Sequence, residues 1–191
     1  MKKILTTLCL LSTATFVQAG WSLNQPESDF NFSSIKKNNA YEVHTFKKYQ
    51  GSISDTGDAV LEIDLSSVST GINIRDERIG TLLFNTAKYP VAQYQLRIDP
   101  KQLDNLKVGE RLQIDTQGSL LLLEVIKPQA ATLNVYKLTE KRILVSTAKP
   151  VVVKAANFGL DAGIEALREI ANLPVISHTI PINFSLVFDL Q

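Results

Sequence analysis

Alternation is the feature that most constrains this chain. Near its C-terminus, Ile176, Ile180, Ile182, Phe184, Leu186 and Phe188 all occupy even positions and so share one face of a long strand. The same period of two returns upstream. Phe30 and Phe32 alternate with Asp29, Asn31 and Ser33. Leu61, Ile63 and Leu65 alternate with Glu62 and Asp64, and Ala92, Tyr94, Leu96 and Ile98 with Gln93, Gln95 and Arg97. Strands with one apolar and one wet face belong in antiparallel sheets. Further strands are expected around 40–54, 111–116, 119–125, 130–138, 142–148 and 151–155. Asp55-Thr56-Gly57-Asp58 and Gln117-Gly118 read as turns between them, and Lys127-Pro128 as a break between two strands. About nine or ten strands in one chain point to a sandwich or a closed barrel.

Two segments carry a different period. Asn73 to about Leu83 predicts a short helix, with Asn73 as N-cap and Asp76 and Glu77 in its first turn. Asp161 to Asn172 predicts a longer one, with Ile164, Leu167, Ile170 and Ala171 as its apolar stripe and Pro174 as its stop. A net charge of +1 removes the basic excess that a nucleic-acid binder needs.

Catalytic chemistry has little to build on. There are two histidines, His44 and His178, one cysteine, and none of the common nucleophile, zinc or phosphate-loop motifs. Two histidines without an acidic third ligand make a poor metal site, so both are read as rim or core residues. The charge cluster Arg75-Asp76-Glu77-Arg78 is read as the exposed start of a helix. Asn31-Phe32-Ser33 and Asn183-Phe184-Ser185 match the glycosylation pattern by chance inside strands. No catalytic residue and no metal ligand is assigned.

The first nineteen residues have the form of a secretory signal peptide. Lys2-Lys3 precede an uncharged apolar run from Ile4 to Phe16, and Val17-Gln18-Ala19 is a small-residue cleavage site. The run is too short to span a bilayer, which takes about 20 residues. Export with cleavage after Ala19 is expected, leaving residues 20–191 as one domain without its only cysteine, Cys9. No later apolar run is long enough for stable membrane insertion.

The order of motifs carries a resemblance. Ile63-Asp64-Leu65-Ser66-Ser67-Val68-Ser69-Thr70-Gly71 is followed by Arg75-Asp76, then Phe84, then Tyr89-Pro90. Trp21-Ser22-Leu23 and Asp29-Phe30-Asn31-Phe32 precede it. Phe46, Tyr49, Gly51 and Ile53 form an F-x-x-F-x-G-x-I-like element, and Asn157-Phe158-Gly159-Leu160 a D-F-G-type element. This resembles the YceI-like family of polyisoprenoid-binding proteins along nearly the whole chain. His44, where many members have a small residue, and Glu124, where many have glycine, depart from the pattern. The helix near 161–173 is an insertion relative to the simplest members.

The resemblance implies an all-β fold: a lipocalin-like, extended, eight-stranded antiparallel barrel with one or two added helices. It implies a periplasmic protein without a cofactor, whose lumen holds a long isoprenoid, such as a quinone tail, or another amphiphilic lipid. A homodimer is among the assemblies it admits. Strand parity and the resemblance together select a lumen set of Phe30, Phe32, Phe46, Leu61, Ile63, Tyr94, Leu96, Ile182, Phe184 and Leu186, with Phe84 and Phe158 as plugs at the ends. A final strand of about 13 residues at ~3.3 Å each, tilted by ~40°, gives a barrel roughly 33 Å tall, long enough for several isoprene units. Each buried methylene contributes about 0.8 kcal/mol. Two other readings stay open: an enzyme acting on a lipid through His44, His178 or the Arg75–Arg78 cluster, and a sandwich with a filled core.

Overall fold

The computed structural model describes residues 20–191; the signal peptide expected over 1–19 lies outside the described residues. Twelve strands run antiparallel: β1 (Gly20–Leu23), β2 (Asp29–Lys36), β3 (Ala40–Phe46), β4 (Tyr49–Ser54), β5 (Asp58–Asp64), β6 (Val68–Ser69), β7 (Val91–Arg97), β8 (Arg111–Leu122), β9 (Val125–Thr139), β10 (Arg142–Thr147), β11 (Val151–Lys154) and β12 (Thr179–Leu190). They occupy eight tracks. β12 is flanked on one side by β1 and then β2, and on the other by β10 and then β11. β4 pairs with β1 while β3 pairs with β2, and β5 pairs with β4 while β6 pairs with β3. Each of these couples is therefore one long strand broken in the middle. The tracks close because β1 bonds to both β4 and β12, which makes a closed eight-stranded antiparallel barrel.

The breaks keep their hydrogen bonds. Between β1 and β2 the chain makes a short 3-10 turn at Gln25–Glu27, yet the Asn24 amide donates to the Val187 carbonyl at 2.8 Å and the Val187 amide to Ser28 Oγ at 2.9 Å. Both backbone groups of Val187 are therefore paired where β1 gives way to β2, as a buried strand requires.

Three helices complete the fold. α1 (Asn73–Arg78) runs on into a π-helical turn at Ile79–Leu83, α2 is Pro100–Asp104 and α3 is Asp161–Ile170. α1 and α3 close the end of the barrel where β6 and β11 stop. α3 lies directly on the π turn, since a Cβ at Gly163 would come within 2.7 Å of the Leu82 carbonyl oxygen.

Local expectations are corrected in three places. Asn73 is the first helical residue rather than the N-cap. The carboxylate that stabilises this helix start is Asp76, which accepts from the Thr70 amide at 2.8 Å and the Thr70 hydroxyl at 2.5 Å. Gln117-Gly118 is not a turn but lies inside β8. A Cβ at Gly118 would fall on the Tyr94 ring and within 2.6 Å of the Gln95 carbonyl, so glycine is there to let the ring pass. Lys127-Pro128 is not a break either. The β8–β9 turn is at Leu123-Glu124, both left-handed (φ 52° and 64°), and Pro128 sits in β9 opposite Ser119. β10 pairs with β9 only from Leu133 onward, so the missing Pro128 amide costs no ladder bond.

Candidate functional site

The alternation seen in the sequence sends one face of every track inward, but the barrel is not uniformly filled. At the helix-capped end a cavity of about 390 Å³ remains. Its strand wall includes Phe30, Phe32, Phe46, Ile63 and Ile182, with Ile180 from the same face of β12. Its roof is Ile79 and Leu83 from the α1–π segment and Ile164, Leu167 and Ile170 from α3. At the opposite end only about 70 Å³ remains, bounded by Leu61, Tyr94, Leu96, Phe184, Leu186 and others. Phe30 and Phe184 stack at 6.2 Å with their planes 5° apart, one ring lining each cavity, and mark the division between them.

The twelve residues selected from sequence therefore fall into two groups. Phe30, Phe32, Phe46, Ile63, Phe84 and Ile182 line the larger cavity, and Leu61, Tyr94, Leu96, Phe184 and Leu186 the smaller. Phe158 lines neither. It sits in the 3-10 turn Ala155–Phe158, buried in the core. Tyr94 spans β8 over Gly118, and its hydroxyl donates to the Gln129 carbonyl of β9 at 2.9 Å. Parity missed the helical roof, because a period of two selects strands only. The apolar stripe of α3 was legible, but nothing in the sequence aimed it at the lumen.

The larger cavity reaches the surface beside Ile170 at the end of α3, which lines it while 49% exposed. Charged side chains also line this cavity. Glu42 Oε1 meets Lys36 Nζ at 2.6 Å, and its Oε2 accepts from Arg75 Nη1 at 2.7 Å. The Lys36 bond, with Arg75 adding to it against the cost of burial, holds the Glu42 carboxyl below the usual carboxylate range. Arg75 is fixed further by Nε to the Thr70 hydroxyl (2.8 Å) and Nη2 to the Thr70 carbonyl (2.7 Å). Arg75 and Arg78 thus line the cavity, where the sequence reading had placed them simply on an exposed helix start.

The two histidines take unlike roles. His44 is buried at 6% exposure in the cavity wall, its ring 5.2 Å from that of Phe32 and its Nε2 2.9 Å from Ser34 Oγ. Burial first, then the Arg75 charge, pushes its pKa down, so the ring is neutral near pH 7. His178 is half-exposed outside the barrel and clasps α3, with Nδ1 2.5 Å from Asp161 and Nε2 3.0 Å from Glu165. The Asp161 bond, then the Glu165 bond, pushes its pKa up. Among the described residues no group of three or more His, Cys, Asp or Glu side chains is arranged to hold a metal ion, and no helix is long and apolar enough to cross a membrane.

The YceI-like domain matches residues 21–188. The chain belongs to the YceI-like family. Among solved structures it is similar to a polyisoprenoid binding domain from Saccharophagus degradans implicated in plant cell wall breakdown, at 40% identity and a TM-score of 0.89, covering 91% of this chain and all of that one. The likeness to BcnA of Burkholderia cenocepacia (18% identity, TM-score 0.62, 86% and 98% covered) and to the YceI protein of Campylobacter jejuni (17%, 0.54, 78% and 84%) is one of fold. A search of curated proteins gave no match.

Proposed function

We propose that this YceI-like protein is an exported, periplasmic carrier that holds a polyisoprenoid or similar long apolar chain in the larger cavity. The observation that carries this reading is the cavity of about 390 Å³ under α1 and α3, walled by phenylalanine and aliphatic side chains. That volume lies within the range of roughly 300–1,000 Å³ typical of small-molecule sites. The 40%-identical domain of polyisoprenoid-binding description supports the ligand class. A chain longer than the larger cavity would run past the Phe30–Phe184 pair toward the smaller one. Burial at about 0.8 kcal/mol per methylene drives the binding, and no reacting group is required. An aqueous compartment between two membranes is where so insoluble a chain needs a carrier.

The test is lipid extraction and mass spectrometry of the protein purified from its native compartment. A stoichiometric isoprenoid, together with an N-terminus at Gly20, is expected. Protein that repeatedly yields no lipid, or that retains Met1 after export, would contradict the reading.

A further inference from the structure

Among the described residues, His44 is the one ring lining the larger cavity that carries polar atoms, and it is buried. Its Nε2 faces Ser34 Oγ, while its Nδ1 is buried with no hydrogen-bond partner among the described residues. A neutral imidazole has one N–H and one bare nitrogen. Buried orphan N–H groups are rarer in proteins than under-satisfied acceptors. The unpartnered Nδ1 therefore takes the bare lone pair, and the proton resides on Nε2. His44 then donates to Ser34 Oγ. Having accepted, the Ser34 hydroxyl turns its own proton elsewhere, and Ser34 lines the cavity. No other partner claims that hydroxyl among the described residues. Of the three cations that line the cavity, Lys36 and Arg75 are engaged by Glu42, and Arg78 has no ion-pair partner among the described residues.

We propose that Ser34, oriented by His44, is the head-group donor of the site and selects an uncharged isoprenoid ending in a hydrogen-bond-accepting oxygen, such as a quinone-type carbonyl, over a plain hydrocarbon. This rests on the carrier reading and deepens it. His44 Nε2–H donates to Ser34 Oγ, and Ser34 Oγ–H donates to the ligand oxygen. Each bond polarises the next in a surrounding of low polarity. His44 is a positioning residue, since it touches the ligand only through Ser34.

The test uses three probes of equal prenyl length: a prenyl benzoquinone, the prenyl hydrocarbon and the prenyl phosphate. Ser34→Ala is expected to weaken the quinone about tenfold and leave the hydrocarbon unchanged. His44→Phe should reproduce that loss, and His44→Gln, which still carries an N–H toward Ser34, should restore most of it. Nitrogen-15 NMR of the wild type is expected to show His44 protonated on Nε2 and bare on Nδ1. An Nδ1–H tautomer would overturn the proposal, as would equal losses for quinone and hydrocarbon in Ser34→Ala. A prenyl phosphate held more tightly than the quinone, and unaffected by Ser34→Ala, would move the head group to Arg78 and overturn it as well. If no probe binds the wild type, the carrier reading itself fails. If all bind and Ser34→Ala discriminates none of them, only the head-group assignment fails.

Discussion

At the β1 end of the barrel, strands of all eight tracks hydrogen-bond around a full ring, and inward side chains such as Val135, Ile143, Leu186 and Phe188 leave only about 70 Å³. At the other end β6 and β11 stop short, α1 and α3 take over the wall, and about 390 Å³ stays open. Both ends draw on the same alternating strands. The difference comes from the wall. A strand sends a side chain into the lumen every second residue, at close spacing, and neighbouring tracks interdigitate. A helix lays one stripe across the opening, and here a π turn crossed at Gly163 sets the height of that roof. The larger volume lies where α1 and α3 replace strand, whereas at the smaller cavity α2 adds only Leu103 to a wall of strands.

Substitutions at matched positions sharpen or break this contrast. Ile143 is fully buried at the ring end, so Ile143→Ala is expected to cost about 2–5 kcal/mol in chemical denaturation. Ile79→Ala, facing the open cavity, should fall toward the low end of that range. Equal costs would mean the two ends are packed alike. Added bulk should act in the opposite sense. Leu186→Trp is expected to lose about 1–3 kcal/mol through overpacking, whereas Ile63→Trp should lose under about 1 kcal/mol and exclude the ligand. Stability must be compared on delipidated protein, because bound ligand stabilises the fold by itself. Asp76→Ala removes two acceptor contacts at the start of α1 and should cost about 0.5–2 kcal/mol, read as a shift in unfolding midpoint with ligand content per folded molecule unchanged.

The smallest effect is the pH response of the α3 clasp. His178 has its pKa raised by Asp161 and then Glu165, so its contribution is complete below its ordinary 6.5 and fades as pH rises through the higher folded value. Glu165 has its pKa lowered, by Arg168 first and His178 second, so its contribution is present above its ordinary 4.5 and fades as pH falls through the lower folded value. The clasp is tightest between the two. The stability difference between wild type and His178→Ala should shrink from pH 6 to pH 9, while α3 amides exchange faster at the higher pH after correction for intrinsic rates. A difference that grows over that interval would reverse the assignment.

Much of the barrel was legible because alternation is a property of single strands. Ile182, Phe184 and Leu186 point inward in the structure as their parity requires. What the sequence hid depends on neighbours. Gly118 reads as a turn until the Tyr94 ring is seen to cross it, and Pro128 as a break until β9 is seen to be unpaired on that side. Phe158 looks like a plug but lies in the 3-10 turn Ala155–Phe158, buried in the core and lining neither cavity. Ser34 has no sequence signature at all. It sits in an ordinary strand, and only the pairing of β2 with β3 brings it to His44.

The central claim is that the ligand's place is the helix-capped cavity, and photo-crosslinking tests it most directly. An isoprenoid carrying a diazirine along its chain is bound to the protein, irradiated, and the labelled peptides are identified by mass spectrometry. Label on the segments containing Phe32–Phe46, Ile79–Phe84 and Ile164–Ile182 is expected, lost in Ile63→Trp and kept in Leu186→Trp. Label confined to outward-facing residues such as Tyr41 and Val43, and insensitive to Ile63→Trp, would contradict it.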